Sequence, residues 1–154
     1  MKRQRNSKKK HLKRQFKKSL ELKQDIAGYK PTLAVAAFWY RKLNGVLFNN
    51  QLPGCFIEIK KLHHDWGRCI VDWDNRKTPK GRFNQRIIPY HIPTTYRIEL
   101  HSKYPKWKDF IETLAHEMVH LYQMQIMKDP YSNHNENFYS FRGKFKAIGL
   151  RLYR

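Results

Sequence analysis

The segment His116-Glu117-Met118-Val119-His120 constrains this chain more than any other, because it lies inside a stretch whose apolar residues recur at helical spacing. The periodicity runs from Phe110 to about Met127, with Ile111, Leu114, Ala115, Met118, Leu121 and Tyr122 on one buried stripe. Pro105 and Asp109 suit the first turn of that helix, and Asp129-Pro130 ends it. Helical residues four apart lie one above the other, so the imidazoles of His116 and His120 can reach one metal ion at about 2.0–2.1 Å. Glu117, next to His116, can then act as general base toward a zinc-activated water. Met118 and Val119, between the ligands, belong to the core.

A catalytic zinc takes a third protein ligand and keeps a fourth position open. A metzincin would continue with Gly at position 123 and His at 126; here they are Gln123 and Ile126, which excludes that class. Asp129, His134 and Glu136 are the downstream candidates. His134 is favoured, because it follows the break at Asp129-Pro130 and opens a final helix that starts near Asn135. That helix carries Phe138, Phe141, Phe145 and Ile148 inward and is capped by Gly149. Glu136 is the substitute ligand, and Asp129 sits too near the end of the preceding helix. Glu112, four residues before His116, is a candidate partner for the second ring nitrogen of that histidine.

The remaining pattern is α+β. A helix spans Thr32 to about Asn49, with Leu33, Ala36, Ala37, Tyr40, Leu43 and Leu47 on its inner face. Strands are expected at Cys55–Lys61, Arg68–Trp73 and Thr95–Leu100. Residues 74–94 form a long loop with a short strand around Ile87-Ile88. Strand Thr95–Leu100 alternates cleanly and is placed to lie beside a cleft and take an extended substrate as an added strand. Helix, strands, helix, helix is an α+β order with a small, mostly antiparallel sheet, not a βαβ alternation. Cys55 and Cys69 are the only cysteines, so a disulfide framework and a four-cysteine zinc site are both excluded. They are taken as buried strand thiols, His63-His64-Asp65 as a loop, and Trp66 and Trp73 as packing residues. Tyr131, Tyr139 and Arg97 are candidates for stabilising an oxyanion.

Charge divides the chain unevenly. Its 154 residues, enough for one domain, carry a net charge of +20. Residues 1–30 hold 12 of the 32 Lys and Arg but only two acids, and Lys2 to Lys18 contains none. This basic arm is either disordered or an amphipathic helix with a narrow stripe of Leu12, Phe16 and Leu20; residues 31–154 form the folded domain. A solvated tail, a phosphate-binding arm and an anionic membrane surface are the three readings of it. Phosphates of DNA or RNA are favoured because the folded part is basic too. No run approaches 18 apolar residues, so no membrane association is expected, and no apolar segment follows the N-terminal charges as in a secretory signal. An intracellular protein is expected: cytoplasmic or nucleoid-associated if prokaryotic or viral, nuclear if eukaryotic.

The stretch LAHEMVHLYQ (114–123), followed by HNENF (134–138), resembles the SprT-like zinc metallopeptidase domain of bacterial SprT and the Spartan proteases. LNGVLFNNQLP (43–53) is similar to that family's first helix and its exit, and RIEL (97–100) to the strand before its zinc helix. The likeness covers roughly residues 31–150. It implies a zincin-like fold, one catalytic Zn2+ held by His116, His120 and His134, Glu117 as catalytic base, and peptide-bond hydrolysis. For the Spartan branch it also implies protein substrates bound or crosslinked to DNA, single-stranded or damaged. A minimal form is expected, without the cysteine zinc ribbon that often follows the domain, and Asn135 stands where the family commonly has Gly. The basic arm can take the ribbon's place on nucleic acid. The competing reading is a basic nucleic-acid-binding module with a non-catalytic zinc site; a zinc hydrolase of another anionic target is disfavoured by the lack of an export signal.

Overall fold

The computed structural model describes residues 2–73, 93–129 and 133–153. In chain order the elements are α1 (Lys2–Lys23), β1 (Ala27–Tyr29), α2 (Leu33–Leu47), β2 (Phe56–Lys60), β3 (Gly67–Trp73), β4 (Pro93–His101), β5 (Tyr104–Lys106), α3 (Trp107–Gln125), α4 (Glu136–Tyr139) and α5 (Arg142–Ala147). The short strand expected around Ile87-Ile88 lies outside the described residues. Among the described residues, no helix is long and apolar enough to cross a membrane.

The architecture is mixed α+β with two small sheets. β1 pairs antiparallel with β5, matching Ala27 to Lys106 and Tyr29 to Tyr104. The larger sheet has the order β2-β4-β3. β3 runs antiparallel to β4, whereas β2 runs parallel to it. This order corrects one expectation. β4, which contains Thr95–Leu100, is the central strand with a neighbour on each side, so it has no edge to offer an incoming peptide. The edges of this sheet, among the described residues, are β2 and β3.

α3 runs through the middle of the molecule. Trp107, Phe110, Ile111, Leu114, Ala115, Met118, Val119 and Leu121 are all buried, a wider band than one stripe because elements pack on more than one side. Its start also differs from expectation. Pro105 belongs to β5, and the helix begins at Trp107, where the Asp109 carboxylate accepts from the Lys106 N–H at 3.0 Å.

α2 starts where Thr32 accepts the Val35 N–H at 3.2 Å. Its inner face is Ala36, Trp39, Tyr40, Leu43, Asn44, Val46 and Leu47; Leu33, expected inside, is 57% exposed. The face is turned because α1 covers it: Phe16 and Leu20 are buried, and the Phe16 ring meets Trp39 edge-on at 5.9 Å. The exit of α2 is held by Asn44, whose side chain donates to the Leu52 carbonyl at 2.8 Å and accepts the Leu52 N–H at 3.1 Å. Asn49 and Asn50 have φ of 52° and 59°, the left-handed region that asparagine tolerates. The LN…LP spacing is thus a side-chain clamp on a sharp turn.

The single C-terminal helix expected from the aromatic spacing is two short ones. Ser140 donates its hydroxyl to the Asn137 carbonyl at 2.6 Å, and the Phe141 N–H turns to the Phe138 carbonyl at 3.3 Å, so the first helix closes. Phe138, Phe141, Phe145 and Ile148 are nevertheless all buried. Gly149 ends the second helix with φ of 86°, and a Cβ there would come within 2.8 Å of Leu20 in α1.

Candidate metal centre

Helical spacing on α3 brings His116 and His120 to one face, with their Nε2 atoms 3.2 Å apart. The chain then turns at Lys128, where φ is 56°, and returns so that His134 Nε2 lies 3.4 Å from His116 Nε2. Among the described residues these three histidines are the one group able to hold a metal ion, their ligand atoms all within 4.8 Å of one another. Asp129 and Glu136, the other third-ligand candidates, are not in it. Asp129 instead accepts from Asn135 at 2.9 Å and Asn137 at 3.4 Å, bracing the loop that carries His134.

The outer ring nitrogens face oxygen atoms. His120 Nδ1 lies 3.0 Å from Gln123 Oε1, and the Tyr153 backbone lies close enough to His116 to favour its protonated form slightly. Glu112 is not the partner of His116: it accepts the Arg151 N–H at 2.9 Å and pairs with Lys108 at 3.8 Å. The inner nitrogens face one another, an arrangement that a cation between them relieves. A tetrahedral ion with bonds of about 2.0–2.1 Å holds its nitrogen ligands about 3.3–3.4 Å apart. The observed 3.2 and 3.4 Å match that edge, so the donor set is compatible with zinc. Burial foremost, then the neighbouring His120 and His134, push the His116 pKa down to about 4, which keeps the imidazole neutral and able to ligate.

Phe138 lies beneath the three rings, with centroid distances of 4.9 Å to His116, 4.9 Å to His120 and 4.6 Å to His134. It is placed by Asn135, whose side chain accepts the Phe138 N–H at 3.2 Å and starts α4.

Glu117 is nearly buried, and its carboxylate stands 4.0 Å from His116 Nε2. Burial chiefly, then the Asp65 charge, raise its pKa to about 8, against a stabilising bond from the Cys69 N–H. It faces a cleft of about 840 Å³ between β3 and α3, into which Thr113, His116, His120 and His134 also open. Gly67 lets the strand approach this closely: a Cβ there would lie 2.7 Å from Thr113 Cγ2 and 3.2 Å from Glu117 Cγ.

The cleft is also lined by Arg151 and Tyr153, joined by a hydrogen bond of 2.7 Å. Sequence reasoning missed both, since nothing in the final RLYR marks it as returning to the site. Of the oxyanion candidates, Tyr139 stacks under the Arg142 guanidinium at 4.5 Å and Arg97 lies beside Glu99 at 4.0 Å; neither lines the cleft. Tyr131 is outside the described residues. Asp65 of the His63-His64-Asp65 loop pairs with Arg68 at 3.1 Å. Burial raises both thiols, Cys55 to about 11 and Cys69 higher, so both are protonated at neutral pH.

An α+β domain with three convergent histidines on and after its central helix, and a carboxylate beside them in a cleft, is a candidate mononuclear metal-dependent hydrolase. A sequence profile of the SprT-like family matches residues 36–149, most of the chain, and the chain belongs to that family. Membership is consistent with a zinc metallopeptidase-like domain. No curated protein and no solved structure is detectably similar to the chain.

Proposed function

We propose that this protein is a zincin-like, zinc-dependent metalloprotease that hydrolyses peptide bonds of proteins bound or crosslinked to nucleic acid. The observation that carries the reading is the Glu117 carboxylate, 4.0 Å from a ligand nitrogen and opening into the same cleft as the three histidines. His116, His120 and His134 would hold one Zn2+. When bound, the ion would supply a Lewis acid for the scissile carbonyl and make the attacking water more acidic.

Glu117 moves the proton. Its carboxylate opens into the cleft beside the ligand nitrogens, placed to take a proton from the attacking water and hand it to the leaving amine. An extended peptide lies along β3, the strand that lines the cleft and, among the described residues, has a strand neighbour on one side only. Backbone pairing of this kind favours unfolded or extended segments over any particular sequence.

The nucleic-acid partner rests on charge. Lys8, Lys10, Arg14, Lys17 and Lys18 are exposed along α1, and phosphate neutralisation by such a row is sequence-independent. DNA, single-stranded or damaged, is the first choice and RNA the second. The test is cleavage of a basic DNA-binding protein by the zinc-loaded enzyme, with and without single-stranded DNA. DNA-stimulated cleavage supports the reading; DNA binding with no cleavage under any condition supports a binding module whose zinc is not catalytic.

A further inference from the structure

Gln123 stands out on α3: a polar side chain with no solvent exposure, on a helix whose other buried residues, Glu117 apart, are apolar. A buried amide is costly unless both of its ends are bonded. Its Nε2 lies 2.9 Å from the Asn133 carbonyl oxygen and 3.1 Å from Asn135 Oδ1. A backbone carbonyl can only accept, so the amide nitrogen must point there and Oε1 must point the other way, toward His120 Nδ1 at 3.0 Å. Oε1 cannot donate, so Nδ1 carries the hydrogen. The Nε2 of His120 is then the lone-pair nitrogen, and it is the one that faces His116 at 3.2 Å.

The other end of the amide grips the residues on either side of the third histidine, Asn133 and Asn135. Asn135 in turn donates to Asp129 and accepts the N–H of Phe138, whose ring underlies all three imidazoles. One side chain therefore fixes the tautomer of one ligand and the position of the loop bearing another.

We propose that Gln123 is the positioning residue of the metal centre: it locks His120 in its metal-binding tautomer and ties the His134 loop to α3, so that two of the three ligands are set before the ion arrives. This rests on the reading that the three histidines bind zinc. A purely structural Gln123 would affect folding stability but not the ligands.

Two measurements test it. In the metal-free wild type, 15N histidine shifts should show His120 in the Nδ1–H form; the Nε2–H form would overturn the proposal without any variant. Gln123→Met keeps the volume and removes both hydrogen-bonding ends. Its zinc affinity, measured by competition with a chromophoric chelator, should fall about 10–100-fold. The ligand-field spectrum of its Co2+ form should change as well. Zinc affinity within twofold of wild type together with an unchanged Co2+ spectrum would overturn the role of Gln123 alone. A wild type that binds no zinc would overturn the metal reading itself, and this inference with it.

Discussion

The ring of Phe138 stacks on the imidazole of His120, with centroids 4.9 Å apart and planes inclined by 24°. Because the same ring meets His116 and His134 at their edges, the apolar core and the metal centre share one side chain. Phe138 is fully buried, so Phe138→Ala should cost about 3–5 kcal/mol of stability. Zinc affinity should fall as well, because the three rings lose their common floor. Denaturant unfolding of the metal-free variant, beside chelator competition, reads the two effects separately.

Gly67→Ala places a methyl against Thr113 Cγ2 at 2.7 Å and crowds Glu117 Cγ at 3.2 Å. Overpacking of this sort costs about 1–3 kcal/mol, and here it pushes on the carboxylate proposed as base. The variant should bind zinc nearly as wild type does but lose turnover at saturating substrate. Unchanged kcat would mean that the strand yields instead of Glu117.

Leu20 lies in α1, is 5% exposed and packs under Gly149. Leu20→Ala should therefore destabilise the whole protein by about 2–5 kcal/mol. Thermal melting checks this. A helix that served only as a detachable charged tether would leave Tm unmoved.

The cysteines should be unreactive when folded. Cys55 is pushed up to about 11 by burial, and Cys69 is raised further. At pH 8 the Cys55 thiolate fraction is then about a hundredfold below that of an ordinary thiol, so iodoacetamide should modify it about a hundredfold more slowly than in denaturant. The sign is set by the raised pKa: protection persists until the pH approaches the folded value. Fast labelling at pH 8 would show that the strands open.

The parts legible in the sequence were those set by local spacing. α3 followed from its apolar period, and the meeting of His116 with His120 from the i, i+4 geometry. The approach of His134 was readable because Asp129-Pro130 in the sequence forbids a longer helix, although α3 already ends at Gln125 and the chain turns at Lys128. What could not be read depended on contacts distant in sequence. Leu33 fits the helical stripe of α2, yet the packing of α1 turns Trp39 and Val46 inward in its place. Thr95–Leu100 has the cleanest alternation, but alternation does not reveal that β2 and β3 flank it on both sides. The split between α4 and α5 falls where the Phe141 N–H turns to the Phe138 carbonyl and the Ser140 hydroxyl bonds Asn137, which aromatic spacing does not reveal. In the sequence Gln123 only breaks another family's pattern; its bonds to His120 and Asn133 exist only once the chain has returned.

The most direct test of the central claim pairs the wild type with Glu117→Gln, both loaded with zinc and assayed on an unfolded protein substrate. Metal content by elemental analysis should be one ion per chain in each. Cleavage should fall about 10²–10⁴-fold in the variant, the usual contribution of a positioned proton carrier. Wild-type cleavage rates in a Glu117→Gln protein that retains its zinc would contradict the account.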